Sequence, residues 1–147
     1  MQRLLEYLAH HPWLSGAAVA IAIAVLVNEL LERARGAAAI SPAQAVALMN
    51  QGALVLDVRS REEFDSGHIG EARHVTSADL ASSADSFKKW REKSIILYCQ
   101  GGARSLAAVG TLTKQGFTKV FNLAGGIEAW RKNNLPVVKT AAKASGK

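Results

Sequence analysis

The chain is 147 residues long, 49% hydrophobic and 20% charged, with a formal net charge of +6. That composition excludes a disordered chain and fits one globular domain with a short appendage. Most of the positive excess lies in one acid-free stretch after Trp130 that carries Arg131, Lys132, Lys139, Lys143 and Lys147. The body is therefore near charge balance, has no basic stripe interleaved with aromatics, and does not read as a nucleic-acid binder.

The first 12 residues form an N-terminal flank. From Trp13 to Val27 the sequence WLSGAAVAIAIAVLV carries no charge, and counting on to Leu31 gives a 13–31 segment. As a helix it would be about 28 Å long, close to the roughly 30 Å of a bilayer core. Trp13 stands at one end, and Glu29, Glu32, Arg33 and Arg35 at the other, as interfacial flanks do. A cleaved signal peptide would need a more basic start than Arg3 offset by Glu6, and a small-residue site directly after the apolar run. A buried core helix is the other alternative. The segment is read as a single-pass anchor in a bacterial inner membrane. Arg33 and Arg35 after it, against Arg3 before it, place the C-terminal domain in the cytoplasm.

Residues 32–39 read as a linker and 40–138 as the soluble domain, followed by a basic tail, 139–147. Ser41 as N-cap and Pro42 at the first helical position open a helix to Asn50. Ala53–Val58 is a short apolar run that reads as a buried strand. Ser60 caps a helical turn through Phe64, stopped at Ser66-Gly67, and Ala72–Val75 is a brief strand. A helix is predicted over 77–91. Ser94–Tyr98 is the clearest strand and ends directly at Cys99. A helix over 104–115, a strand over 119–123 and a helix over 127–133 complete the domain. Strands alternating with helices predict an α/β fold: an open parallel sheet covered by helices on both faces, with ligands expected beyond the carboxyl ends of the strands.

Cys99 is the one cysteine, so no intramolecular disulfide and no thiolate metal cluster can form. It joins a strand to a helix N-terminus through Gln100-Gly101-Gly102-Ala103-Arg104-Ser105. A glycine-rich loop can turn successive N–H groups inward, and the helix end adds partial positive charge. Arg104, five residues past the cysteine, can fold over the loop mouth. These features favour thiolate over thiol.

YCQGGARS resembles the active-site loop of the rhodanese family, a cysteine followed by four residues and an arginine. Asp57-Val58-Arg59 with Glu62-Glu63-Phe64 and Gly67-His68-Ile69 resembles that family's DVR…EEF…GHI signature, and Leu123–Trp130 its closing LxGGxxAW segment. Together they span about residues 40–138. The resemblance implies a rhodanese-like sheet and a sulfurtransferase of the thiosulfate type. Cys99 would take a sulfane sulfur as a persulfide. The loop N–H groups of Gln100, Gly101, Gly102, Ala103 and Arg104 would hold it, and Arg104 would bind an anionic donor. Asp57 and Arg59 are read as a pair supporting the loop. His68 is read as a turn anchor, Phe64 and Trp130 as core, and Glu62 and Glu63 as helix caps. No metal and no cofactor are implied. The partners expected are a thiosulfate or persulfide donor, a thiol, cyanide or protein acceptor, the lipid bilayer and a membrane-protein partner. Related cysteine phosphatases place five residues between Cys and Arg to wrap a phosphate, and the four present here suit a sulfur atom. The competing reading is a membrane-tethered interaction module whose cysteine loop is a redox sensor or a vestige.

Overall fold

The computed structural model describes residues 12–37 and 39–140. The chain divides into two compact units between residues 37 and 38. The first unit contributes helix α1, Pro12–Ala37. Its Trp13–Leu30 stretch, with mean hydropathy 1.8, is long and apolar enough to cross a membrane. Residues 32–37, read above as linker, belong to this helix, because Leu31, Glu32, Arg33, Ala34 and Arg35 are strong helix formers and carry the last turns onward. Residues 1–11 of the N-terminal flank, and 141–147 of the basic tail, lie outside the described residues.

The second unit is a doubly covered sheet. Its elements in chain order are β1 (Ala39–Ile40), α2 (Pro42–Asn50), β2 (Leu54–Asp57), α3 (Arg61–Ser66), β3 (His68–Ile69), β4 (Arg73–His74), α4 (Leu80–Ser83) and a 3-10 segment Ala84–Trp90. There follow β5 (Ile95–Tyr98), α5 (Ala103–Lys114), β6 (Val120–Leu123), α6 (Gly126–Lys132) and β7 (Val137–Val138). The main sheet has five strands in the order β1-β6-β5-β2-β4, all parallel. Every residue of β2 and β5 is buried, as expected of central strands covered on both faces.

Period-2 alternation divides these strands between two apolar clusters. Leu54, Leu56, Ile95, Leu97 and Cys99 face one side with Leu80, Phe87, Leu112 and Phe117. Val55, Ile96 and Tyr98 face the other with Ile40, Ile127 and Trp130. Both serine caps form complete capping boxes, Ser41 with Gln44 and Ser60 with Glu63.

Residues 77–91 do not form the single helix expected of them. In place of one helix there is a single turn, α4, running into the 3-10 segment. The Thr76 hydroxyl donates to the Asp79 carboxylate at 2.6 Å and accepts the Asp79 N–H at 3.2 Å, while Ser82 bonds back to the Asp79 carbonyl. Such local bonds compete with the helical ladder. The segment is held instead by Leu80, Ala84 and Phe87, which are buried in the core. The linker reading also hid β1, and β3 pairs antiparallel with β7 through only two residue pairs, too short for any periodic signal.

Candidate active site

β5 delivers Cys99 to the carboxyl edge of the sheet, and β2 brings Asp57 alongside, in register with Tyr98. Cys99 is 1% exposed. Its Sγ accepts the N–H of Gly102 at 3.1 Å and lies 3.4 Å from the Ser105 hydroxyl. Gly102 precedes the first residue of α5 in a left-handed conformation, φ 99°, which turns its N–H back toward the sulfur. A side chain there would be strained and would crowd the backbone of Leu123 and Gly125. Burial acts to raise the Cys99 pKa, but hydrogen bonds from Ser105, Gly102 and Arg104 outweigh it, and the thiol lies below its ordinary value.

The loop is clamped from behind by the LxGGxxAW segment. The N–H groups of Ile127 and Glu128 donate to the carbonyls of Cys99 and Gln100 at 2.9 and 3.2 Å. Gly126, at φ 58°, is pressed so closely against those two carbonyls that a Cβ would overlap them. Gly126 is therefore a geometric condition for the cysteine loop.

Asp57 and Arg59 are both buried and meet through Nη2–Oδ2 at 2.6 Å and Nε–Oδ1 at 3.0 Å. Arg59 also donates to the carbonyl of Gly67 at 2.8 Å and to the side chain of Gln100 at 3.4 Å. Burial pulls the guanidinium pKa down, Asp57 more than offsets it, and Arg59 stays charged. The pair thus ties β2, the start of β3 and the cysteine loop together. Gln100 continues outward to Glu128 at 3.0 Å, whereas Gly101 on the loop and Ala103 at the start of α5 are exposed. His68 Nδ1 meets the Phe64 carbonyl at 2.9 Å and its ring stacks on Phe64, so it anchors the turn.

Arg104 is half-exposed and forms a two-point ion pair with Glu63, at 3.0 and 3.2 Å. Glu63 simultaneously accepts the Ser60 N–H at 2.9 Å. Chiefly through Arg104, and then Ser60, its carboxyl is lowered from the ordinary 4.5 to about 2. A lowered carboxylate stabilises the fold above its unfolded-state pKa and loses that contribution as pH falls through the folded value. The stability difference between wild type and Glu63→Gln is expected to be constant above about pH 5 and to vanish as pH approaches 2, read from urea midpoints across that range.

Residues 41–133 match the rhodanese-like domain family. The chain belongs to that family. This rhodanese-like protein is 31% identical over 141 residues to the uncharacterized protein YibN of Escherichia coli K12, across 95% of this chain and 99% of that one. It is 38% identical over 95 residues to the thiosulfate sulfurtransferase GlpE of Pseudomonas savastanoi pv. phaseolicola, across 63% of this chain and 85% of GlpE. Its fold is similar to the crystal structure of a rhodanese-related protein from Thermoplasma volcanium, with TM-score 0.63 and 28% identity over 69% of this chain and 98% of that one. Three residues at the rhodanese-like site escaped the sequence reading in these roles. Glu63 was legible only as a cap. Ser105, buried against the cysteine, and Asn122, buried against Ser105, are brought together by chain segments that no local pattern connects; a lone asparagine inside the apolar run VFNL was the available signal.

Proposed function

We propose that this chain is a membrane-anchored sulfurtransferase that moves sulfane sulfur from thiosulfate, or a similar donor, to a thiophilic acceptor through a persulfide on Cys99. The observation that carries the reading is the Cys99 sulfur, set at the N-terminus of α5 and holding the Gly102 N–H at 3.1 Å. That arrangement stabilises an anionic sulfur, whether thiolate or persulfide. The thiolate attacks the outer sulfur of thiosulfate. A new S–S bond forms as the bond to the sulfonate sulfur breaks, and sulfite leaves with the electron pair. A thiolate, cyanide or protein acceptor then attacks the outer sulfur of the persulfide, and Cys99 leaves as thiolate, ready for another cycle. Arg104 at the loop mouth, shared with Glu63, supplies positive charge for an anionic donor. Asp57 and Arg59 act as supports of the loop.

The helix Trp13–Leu30 serves as the single-pass anchor in a bacterial inner membrane. Arg33 and Arg35 on its C-terminal side support a cytoplasmic position for the sulfurtransferase domain. The full chain, purified in detergent micelles with its thiol reduced, is expected to form thiocyanate from thiosulfate and cyanide with turnover. Failure to form thiocyanate, with the thiol reduced and the chain folded, contradicts the thiosulfate-type activity.

A further inference from the structure

Among the described residues, the buried polar or charged side chains are Asp57, Arg59, Ser105 and Asn122. All four flank the cysteine loop. The first two satisfy each other as an ion pair, and the other two form a separate pair on the opposite side of β5. Asn122 lies in β6, 5% exposed, between Leu97 of β5 and Ala39 of β1 in register. A strand packed on both sides gains nothing from an amide at such a position unless that amide has work for its polar atoms. Ser105, fully buried on α5, is what it meets.

The Ser105 Oγ stands within reach of three acceptors: Asn122 Oδ1 at 2.6 Å, the Gly102 carbonyl at 3.2 Å and Cys99 Sγ at 3.4 Å. A hydroxyl has one hydrogen to give. If that hydrogen goes to Asn122 or Gly102, an oxygen lone pair is left facing the sulfur, which opposes negative charge there. Half a turn of the Asn122 amide exchanges its nearly isosteric oxygen and nitrogen. The amide N–H then occupies the short contact and donates to Ser105 Oγ, and the hydroxyl hydrogen is free to point at the sulfur.

We propose that Ser105 is a catalytic hydroxyl that donates to the Cys99 sulfur, and that Asn122 is the positioning residue that directs its hydrogen there. The inference rests on the reading of Cys99 as the sulfur carrier and adds how its charge is held. The other groups around the sulfur are accounted for. The loop and the first turn of α5 turn the backbone N–H groups of Gly102, Arg104 and Ser105 toward it, and its charged neighbour is Arg104.

The chain has one cysteine, so the ultraviolet absorbance of the thiolate, measured against a Cys99→Ser blank, titrates this group alone. The full chain in micelles needs no sulfur donor for this measurement. The titration can therefore fail while sulfur transfer succeeds, or succeed while transfer fails. Ser105→Ala is expected to raise the midpoint by about one pH unit or more, and Ser105→Thr, which keeps the hydroxyl, to restore it. Asn122→Leu is expected to raise the midpoint in the wild-type background and to leave it unchanged in the Ser105→Ala background. An unmoved midpoint in folded Ser105→Ala overturns the role of the hydroxyl. An equal shift from Asn122→Leu in both backgrounds overturns the direction by Asn122. If Ser105→Ala does not fold, Asn122→Leu alone decides: a raised midpoint supports the pair, and an unmoved one overturns it.

Discussion

Cys99→Ser is expected to lower sulfur transfer by roughly 10⁴-fold or more, the scale on which removal of a covalent nucleophile acts. The loss has no route around it, because the chain holds no second cysteine. A serine oxygen at the end of β5 cannot replace the sulfur, since its hydroxyl does not ionise near neutral pH and cannot carry a sulfane sulfur as a persulfide. The fold should survive the change. The hydroxyl can accept the same Gly102 N–H that Sγ accepts at 3.1 Å, and the volume lost is small, so destabilisation should stay within about 2 kcal/mol. Thiocyanate formation and thermal unfolding of the same preparation check both halves. Retained activity in the variant contradicts the role given to Cys99.

Asp57→Ala is expected to act in the opposite way, through the fold. It removes the acceptor of the Arg59 backbone N–H at 3.0 Å, of Nε at 3.0 Å and of Nη2 at 2.6 Å. It leaves a guanidinium that is 2% exposed with its charge uncompensated. Breaking one side of a buried ion pair costs about 3–5 kcal/mol, against the roughly 5–15 kcal/mol that hold a domain together. The unfolding midpoint should fall by roughly 15 °C or more. Arg59 would also lose its fixed position against Gly67 and Gln100, so activity should fall at temperatures where the variant is still folded. Asp57→Asn keeps the shape without the charge and should fall between wild type and alanine. A drop of only a few degrees in Asp57→Ala, read by circular dichroism, would mean that the pair does not hold the loop.

The central strands were legible because their chemistry is local. Leu54–Leu56 and Ile95–Tyr98 are continuous apolar runs, buried on both faces, and Ser41 and Ser60 announce their helices through capping boxes. What escaped was decided partly by side-chain bonds that compete with the helical ladder and partly by groups that lie close together only in the folded chain. The 77–91 segment has helical residues, yet Thr76, Asp79 and Ser82 turn its start into local bonds. β1 and β7 take their identity from the strands they meet, β6 and β3. The same division runs through the site. The cysteine loop is a contiguous motif and could be read directly. Glu63 meets Arg104 across 41 residues of chain, and Asn122 meets Ser105 across 17, contacts to which periodicity and spacing are blind.

The persulfide proposed on Cys99 is open to direct measurement. Its most direct test is the intact mass of the full chain after incubation with thiosulfate and removal of excess donor, beside Cys99→Ser treated identically. The wild type alone is expected to gain one sulfur atom, which peptide mapping finds on Cys99 and cyanide removes as thiocyanate. A wild-type chain with a reduced, accessible thiol that gains no sulfur would contradict the proposal.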